Sequence, residues 1–115
     1  MILFQLFFCI IKFVDKLPRT LSATEIGRQL LKSGISIAAN MEEAKGAESR
    51  NDFIHKVNIA YKEARETRLW LGMIKAAILP NAAEVIELSG ECEELIRILY
   101  AILKKSRATP SSPRR

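Results

Sequence analysis

Chain breakers are scarce in this sequence: five glycines and four prolines occur in 115 residues, and two of the prolines lie among the last six. Long stretches therefore run uninterrupted, which favours helices over strands. Histidine is scarcer still. His55 is the only one and no Cys-x-x-Cys spacing accompanies it, which argues against a zinc site. The two cysteines, Cys9 and Cys92, both fall in strongly apolar segments. A single pair makes no disulfide framework, so the expectation is two reduced core thiols. The apolar opening stops at Lys12, well short of the roughly 20 residues that a membrane span needs. It also lacks the basic leader and small-residue cleavage pattern of a signal peptide, which predicts a buried helix in a cytoplasmic protein. Neither a glycine-rich phosphate loop nor a serine or cysteine nucleophile beside a base is present, so no catalytic site, metal site or cofactor is expected, nor a small-molecule substrate.

What the chain does contain is ordinary for one folded domain: 49% hydrophobic and 27% charged residues, too apolar for disorder. The net charge of +5 is concentrated at one end. Lys104, Lys105, Arg107, Arg114 and Arg115 are five bases with no acid among them; without them, thirteen bases face thirteen acids in the rest of the chain. A basic balance points to nucleic acid or an anionic surface, and here that pointer rests on a tail that is better read as a solvated terminus.

Four helices follow from the periodicity, at about 2–16, 23–45, 49–78 and 82–105, and short connections make an all-α, antiparallel up-down-up-down four-helix bundle over 1–105 the expected architecture. The first is apolar nearly all round and ends at Leu17-Pro18. A helix of that kind has to be covered on more than one side, which predicts a second contact surface supplied by another subunit. In the second, Ser22 or Thr24 is the expected N-cap, and Ile26, Leu30, Ser33, Ile37 and Met41 form a stripe whose small middle (Ser33, Gly34, Ser36, Ala38, Ala39) suits close approach of a neighbouring helix. Ser49 is the expected cap of the third. Phe53, Val57, Ala60, Ala64, Thr67, Leu71, Ile74 and Ile78 then alternate by four and three, the spacing of a left-handed packed seam. Val85, Leu88, Cys92, Leu95, Leu99 and Ile102 repeat the pattern in the fourth, whose acids precede its bases in the order that suits the helix dipole. The breaker-rich string at 106–115 reads as a disordered basic tail.

Glu42-Glu43 and Glu63-x-x-Glu66 place carboxylates on helices, but a di-iron bundle needs Glu-x-x-His pairs on two of them, so a solvated face is the better account. His55 reads as a surface residue. Trp70 is either a peripheral core residue or an anchor at a subunit interface. Between Arg28 and Lys75 there are nine bases and six acids, with no run of aromatics to stack bases and no helix-turn-helix or zinc-finger spacing. Any nucleic-acid contact would be made to phosphates and weakened by salt. Its carriers would be Lys56, Lys62, Arg65 and Arg68 on the third helix, with Lys104, Lys105 and Arg107 at the end of the fourth.

The run Leu31-Lys-Ser-Gly-Ile-Ser-Ile-Ala-Ala-Asn-Met-Glu-Glu-Ala44 resembles the signature of the bacterial four helix bundle protein family, also called 23S rRNA intervening-sequence or S23-type proteins. Ser49-x-x-Asp52-Phe53 and the run from Ile59 to Leu71 are similar to that family's third helix, and Glu91 to Leu99 to its fourth; the likeness covers 7–105. It implies a non-enzymatic homo-oligomer, typically a pentameric ring. Some members are encoded within insertions of the large ribosomal RNA gene without being established ribosome components. Related proteins are accessory factors of diversity-generating retroelements, where a basic pentameric barrel contacts a reverse transcriptase and nucleic acid. The residues that match the family motif are Ser33, Gly34, Ser36, Asn40, Glu43 and Ala44 with Glu63, Glu66, Thr67 and Trp70, and their implied role is helix packing and assembly. The chain departs from the pattern at both ends: it opens directly on Met1-Ile-Leu-Phe, as a shortened or a misassigned start would, and its Arg/Pro/Ser tail is not accounted for by the resemblance.

Overall fold

The computed structural model describes residues 2–108, with side chains from Gln5 onward, and contains four helices: α1 (Ile2–Asp15), α2 (Leu21–Lys45), α3 (Arg50–Ala77) and α4 (Ala83–Ala108). Their ends follow local chemistry. At the close of α1 the amides of Lys16 and Leu17 bond to the carbonyls of Phe13 and Val14 in a tightened last turn just before Pro18. The cap of α2 is neither Ser22 nor Thr24 but Thr20, whose hydroxyl accepts the Ala23 amide at 3.2 Å. With Thr20 taking that role, the helix starts two residues earlier than the expected 23, on the exposed Leu21. Ser49 caps α3 as expected, accepting the Asp52 amide at 3.0 Å. Helix α4 continues past Lys105 through Ser106, Arg107 and Ala108, because no breaker intervenes before Pro110. The helical part of the expected tail is thereby corrected; the remainder, 109–115, lies outside the described residues.

Each helix packs against its chain neighbours and α1 closes the square against α4, while among the described residues the backbones of the diagonal pairs α1–α3 and α2–α4 stay apart. Cross-helix partners show the directions. Glu43 meets Lys56 and Ser33 meets Thr67 between α2 and α3; Cys92 meets Ala64 and Tyr100 meets Tyr61 between α3 and α4; Lys16 meets Glu84 between α1 and α4. Later residues of one helix face earlier residues of the next, so adjacent helices are antiparallel and the chain runs up-down-up-down.

The core is the sum of the four stripes: Leu6, Ile10 and Phe13 from α1, Leu30 and Ile37 from α2, Val57, Leu71 and Ile74 from α3, Val85, Cys92 and Leu99 from α4. Two details depart from the periodicity. Ile96 and Leu103 are buried in α4 while Ile102 is only partly covered, since α4 is gripped from two sides, by α3 and by α1. Cys9 is exposed rather than a core thiol, because it points away from the α1 face formed by Leu6, Ile10 and Phe13.

Helix α1 lies close against α2 over two glycines one heptad apart. A methyl group on Gly34 would sit 3.5 Å from Ile10 and 3.7 Å from Phe7, and one on Gly27 would come within 2.9 Å of Leu17. Gly34→Leu is therefore expected to push α1 off α2 and to cost about 1–3 kcal/mol by overpacking. Gly90, where an added methyl meets nothing, should behave oppositely: Gly90→Ala gains about 0.5–1 kcal/mol of helix propensity. Urea denaturation followed by circular dichroism measures both.

Candidate functional site

The residues of the family motif converge on the line where α2 meets α3. Ser33 and Thr67, the buried polar side chains of the core, bond hydroxyl to hydroxyl at 2.7 Å. Each also reaches a carbonyl of its own helix, Leu30 at 3.2 Å and Glu63 at 2.9 Å. Two hydroxyl protons serve three contacts, so one donor always bridges the helices or the other does, and neither group is left unpaired. Nearer the surface, Asn40 donates to the Ser36 carbonyl at 2.8 Å and to its hydroxyl at 3.3 Å, and the Ser36 hydroxyl works to hold the Glu63 carboxyl pKa down. Lys56 closes the seam on Glu43 at 2.7 Å, and that bond holds its ammonium pKa above the usual lysine value. Trp70 donates its indole N–H to Glu66 at 3.3 Å and is half-buried, beside the seam and outside it. Gly34 is the exception in its surroundings, facing α1, and Ala44 is a buried packing residue near the end of α2.

Two groups in this region have displaced acidities. Partial burial pushes the Glu63 carboxyl up, reinforced by the nearby Glu66 and opposed by Lys32 and Ser36. A carboxyl with a raised folded-state pKa stabilises the fold only while protonated, so this contribution is present at acidic pH and lost as pH rises through its titration. Burial pushes the Cys92 thiol up to about 12, with Glu93 adding to the effect. Its S–H donates to the Ala64 carbonyl at 3.3 Å. Such a thiol is a small core hydrophobe and a poor nucleophile. Its contribution is complete below the ordinary thiol range and disappears as pH climbs toward 12.

The cations named from the sequence do not form one cluster. Lys56 belongs to the seam with Glu43. Lys62 and Arg65 lie exposed on the outer surface of α3, bordering a shallow depression with Arg68 and Leu69. Arg68 turns toward α4 and pairs with Glu93 at 3.2 Å, while Lys104, Lys105 and Arg107 stand exposed on the last turns of α4. Sequence reading missed the centre of this region. The Tyr61 and Tyr100 rings lie 6.1 Å apart, tilted by 41°, with the Arg65 guanidinium 5.8 Å above Tyr61. No run of aromatics signals this pair, since its members are 39 positions apart in the chain.

The four sides of the bundle thus differ chemically. The α2–α3 side carries the polar seam and the α3–α4 side carries Arg65, Arg68, Arg97, Lys104 and Arg107 around the tyrosines. The α1–α4 side has a groove lined by Gln5, Cys9, Leu88 and three glutamates, Glu84, Glu87 and Glu91. The α1–α2 side exposes Ile11 (45%) and Ile35 (54%); Phe8, 53% exposed on α1, carries the Lys12 ammonium 5.4 Å from its ring centroid, and Leu69, Met73 and Ile86 are exposed on α3 and α4. His55 is exposed near the start of α3. Among the described residues no three potential ligands gather where a metal ion could sit, and no helix is long and apolar enough to cross a membrane.

Two measurements check this geometry. Ser33→Ala and Thr67→Val should each cost about 1 kcal/mol, and the double variant should cost less than the two together because no hydroxyl is then left facing an apolar group; denaturant titration of all four proteins closes the cycle. For the thiols, alkylation of the folded protein at neutral pH should label Cys9 and spare Cys92 until denaturant is added, as peptide mass mapping would show.

The comparisons with known proteins agree with the fold. No curated protein matches the chain. A solved structure, a protein of unknown function from the S23 ribosomal protein family of Bacteroides thetaiotaomicron VPI-5482, is similar with 32% identity and a TM-score of 0.82, covering 90% of this chain and 95% of its own. The family model described as 23S rRNA-intervening sequence protein matches residues 3–101, a span that takes in the Ser33–Thr67 bond, the rest of the α2–α3 seam and both tyrosines. The chain belongs to the 23S rRNA-intervening sequence protein family.

Proposed function

We propose that this protein is a non-enzymatic, cytoplasmic homo-oligomeric scaffold that binds RNA, or a nucleoprotein partner such as a reverse transcriptase, through basic faces. The observation that carries this reading is the opposition of two sides of one bundle. In a square of helices the α1–α2 side lies opposite the α3–α4 side; the first exposes Ile11 and Ile35, and the second is basic. Apolar side chains gathered on one face of a folded domain are the usual mark of a contact surface, and covering each of these half-exposed side chains in a subunit interface is worth about 1 kcal/mol. Copies that meet through α1 and α2 direct every α3–α4 face outward, so a weak phosphate site on one copy is multiplied by avidity. The pentameric number comes from the family resemblance and is part of the proposal.

The same apolar side also favours a second reading, a protein-interaction module with no nucleic-acid role. Salt separates the two: phosphate contacts weaken steeply between low and moderate salt, whereas an apolar interface hardly responds. Light scattering at both salts, with and without a generic RNA, is the test. The expected result is a multiple of the monomer mass that grows with RNA at low salt only. Ile35→Glu should lower the mass toward the monomer while the helical circular dichroism is kept. A wild-type protein that is monomeric throughout defeats the scaffold reading, and an oligomer indifferent to RNA at both salts leaves the protein-interaction module.

A further inference from the structure

The tyrosine pair at the α3–α4 junction is more than the fold requires. Tyr61 is half-buried against the core, but Tyr100 is 54% exposed. Cations surround the pair. The Arg65 guanidinium lies over the Tyr61 ring. On α4, Arg97 stands three residues before Tyr100, with Lys104 four and Arg107 seven residues after it, so all four side chains share one face of the helix. Arg68 on α3 pairs with Glu93 at the far end of the same stripe, where both partners are partly exposed. The result is a line of positive charge along two adjacent helices with an accessible aromatic ring in the middle.

We infer that this tyrosine-centred face of α3 and α4 is a docking surface for single-stranded RNA, with phosphates on the arginines and lysines and a base stacked on Tyr100. The inference rests on the nucleic-acid reading above and narrows it to one face and one form of the ligand. Charge complementarity selects a polyanion. Among polyanions, a duplex keeps its base faces stacked inside the helix, and the carboxylates of an acidic peptide carry no aromatic face to stack on the ring. A single strand offers both phosphates and free base faces, and stacking on aromatic side chains flanked by cations is how sequence-tolerant single-strand sites work.

The experiment uses the full chain and three probes at low salt: a fluorescently labelled oligoadenylate, the same strand annealed to oligouridylate, and heparin as a polyanion without bases. Tyr100→Ala is expected to weaken single-strand binding roughly tenfold, the loss of one stacked base, with the duplex and heparin little changed. Tyr100→Phe, which keeps the ring, should retain single-strand binding. Arg97→Glu combined with Lys104→Glu should weaken all three probes. If Tyr100→Ala binds the single strand like wild type, or loses all three probes equally, the stacking inference is overturned; loss of binding in the charge-reversal variant still keeps the basic-face reading in that case. If wild type binds none of the probes, both fall, and binding of heparin alone overturns the inference in favour of an acidic protein partner.

Discussion

The contact between α2 and α3 governs the rest of this molecule, and a hydrogen bond buried inside it sets the register. Ser33 and Thr67 place two hydroxyls in an otherwise apolar core. Any slip of one helix along the other breaks that bond, leaves each hydroxyl only the carbonyl of its own helix, and separates Lys56 from Glu43 as well. Once that register holds, the small side chains around it let the helices lie close, and the remaining two helices take their positions by packing. Helix α4 adds to α3 along Ala64 and Cys92, and α1 fills the space between α2 and α4, lying over Gly27 and Gly34.

This arrangement explains how one chain acquires four sides with different chemistry. Each helix contributes one flank to each of two neighbouring sides, so residues one or two positions away from the core stripe decide what a side presents. On α2, Ser36 and Asn40 flank the stripe toward α3 and make the polar seam, while Ile35 flanks it toward α1 and extends the apolar side. On α4, Glu84, Glu87 and Glu91 face α1, whereas Arg97, Tyr100, Lys104 and Arg107 face α3. The acid-before-base order along α4 suits the dipole, and it also places this helix's acids toward one end of the bundle and its bases toward the other.

The packing ties down two side chains of the inner helices: Cys92 is kept protonated and bonded to a carbonyl, and Trp70 is bonded to Glu66.

The sequence by itself determined the four helices, the breaks at Pro18, Gly46 and Pro80, and the stripes on α2, α3 and α4, because helix periodicity and breakers act within a few residues of where they are read. The motif residues could be placed on the second and third helices for the same reason. Helix ends within a turn were less legible: Thr20 displaced Ser22 and Thr24 as cap, and α4 ran on to Ala108, since capping depends on which hydroxyl reaches which amide. Only the tertiary structure decided what crosses between helices: the Ser33–Thr67 bond, the exposure of Cys9, the scattering of the cations over different sides, and the Tyr61–Tyr100 pair. These depend on the rotation and register of packed helices, where a shift of one residue turns a side chain by about 100° around the axis, and nothing within a single helix specifies that angle.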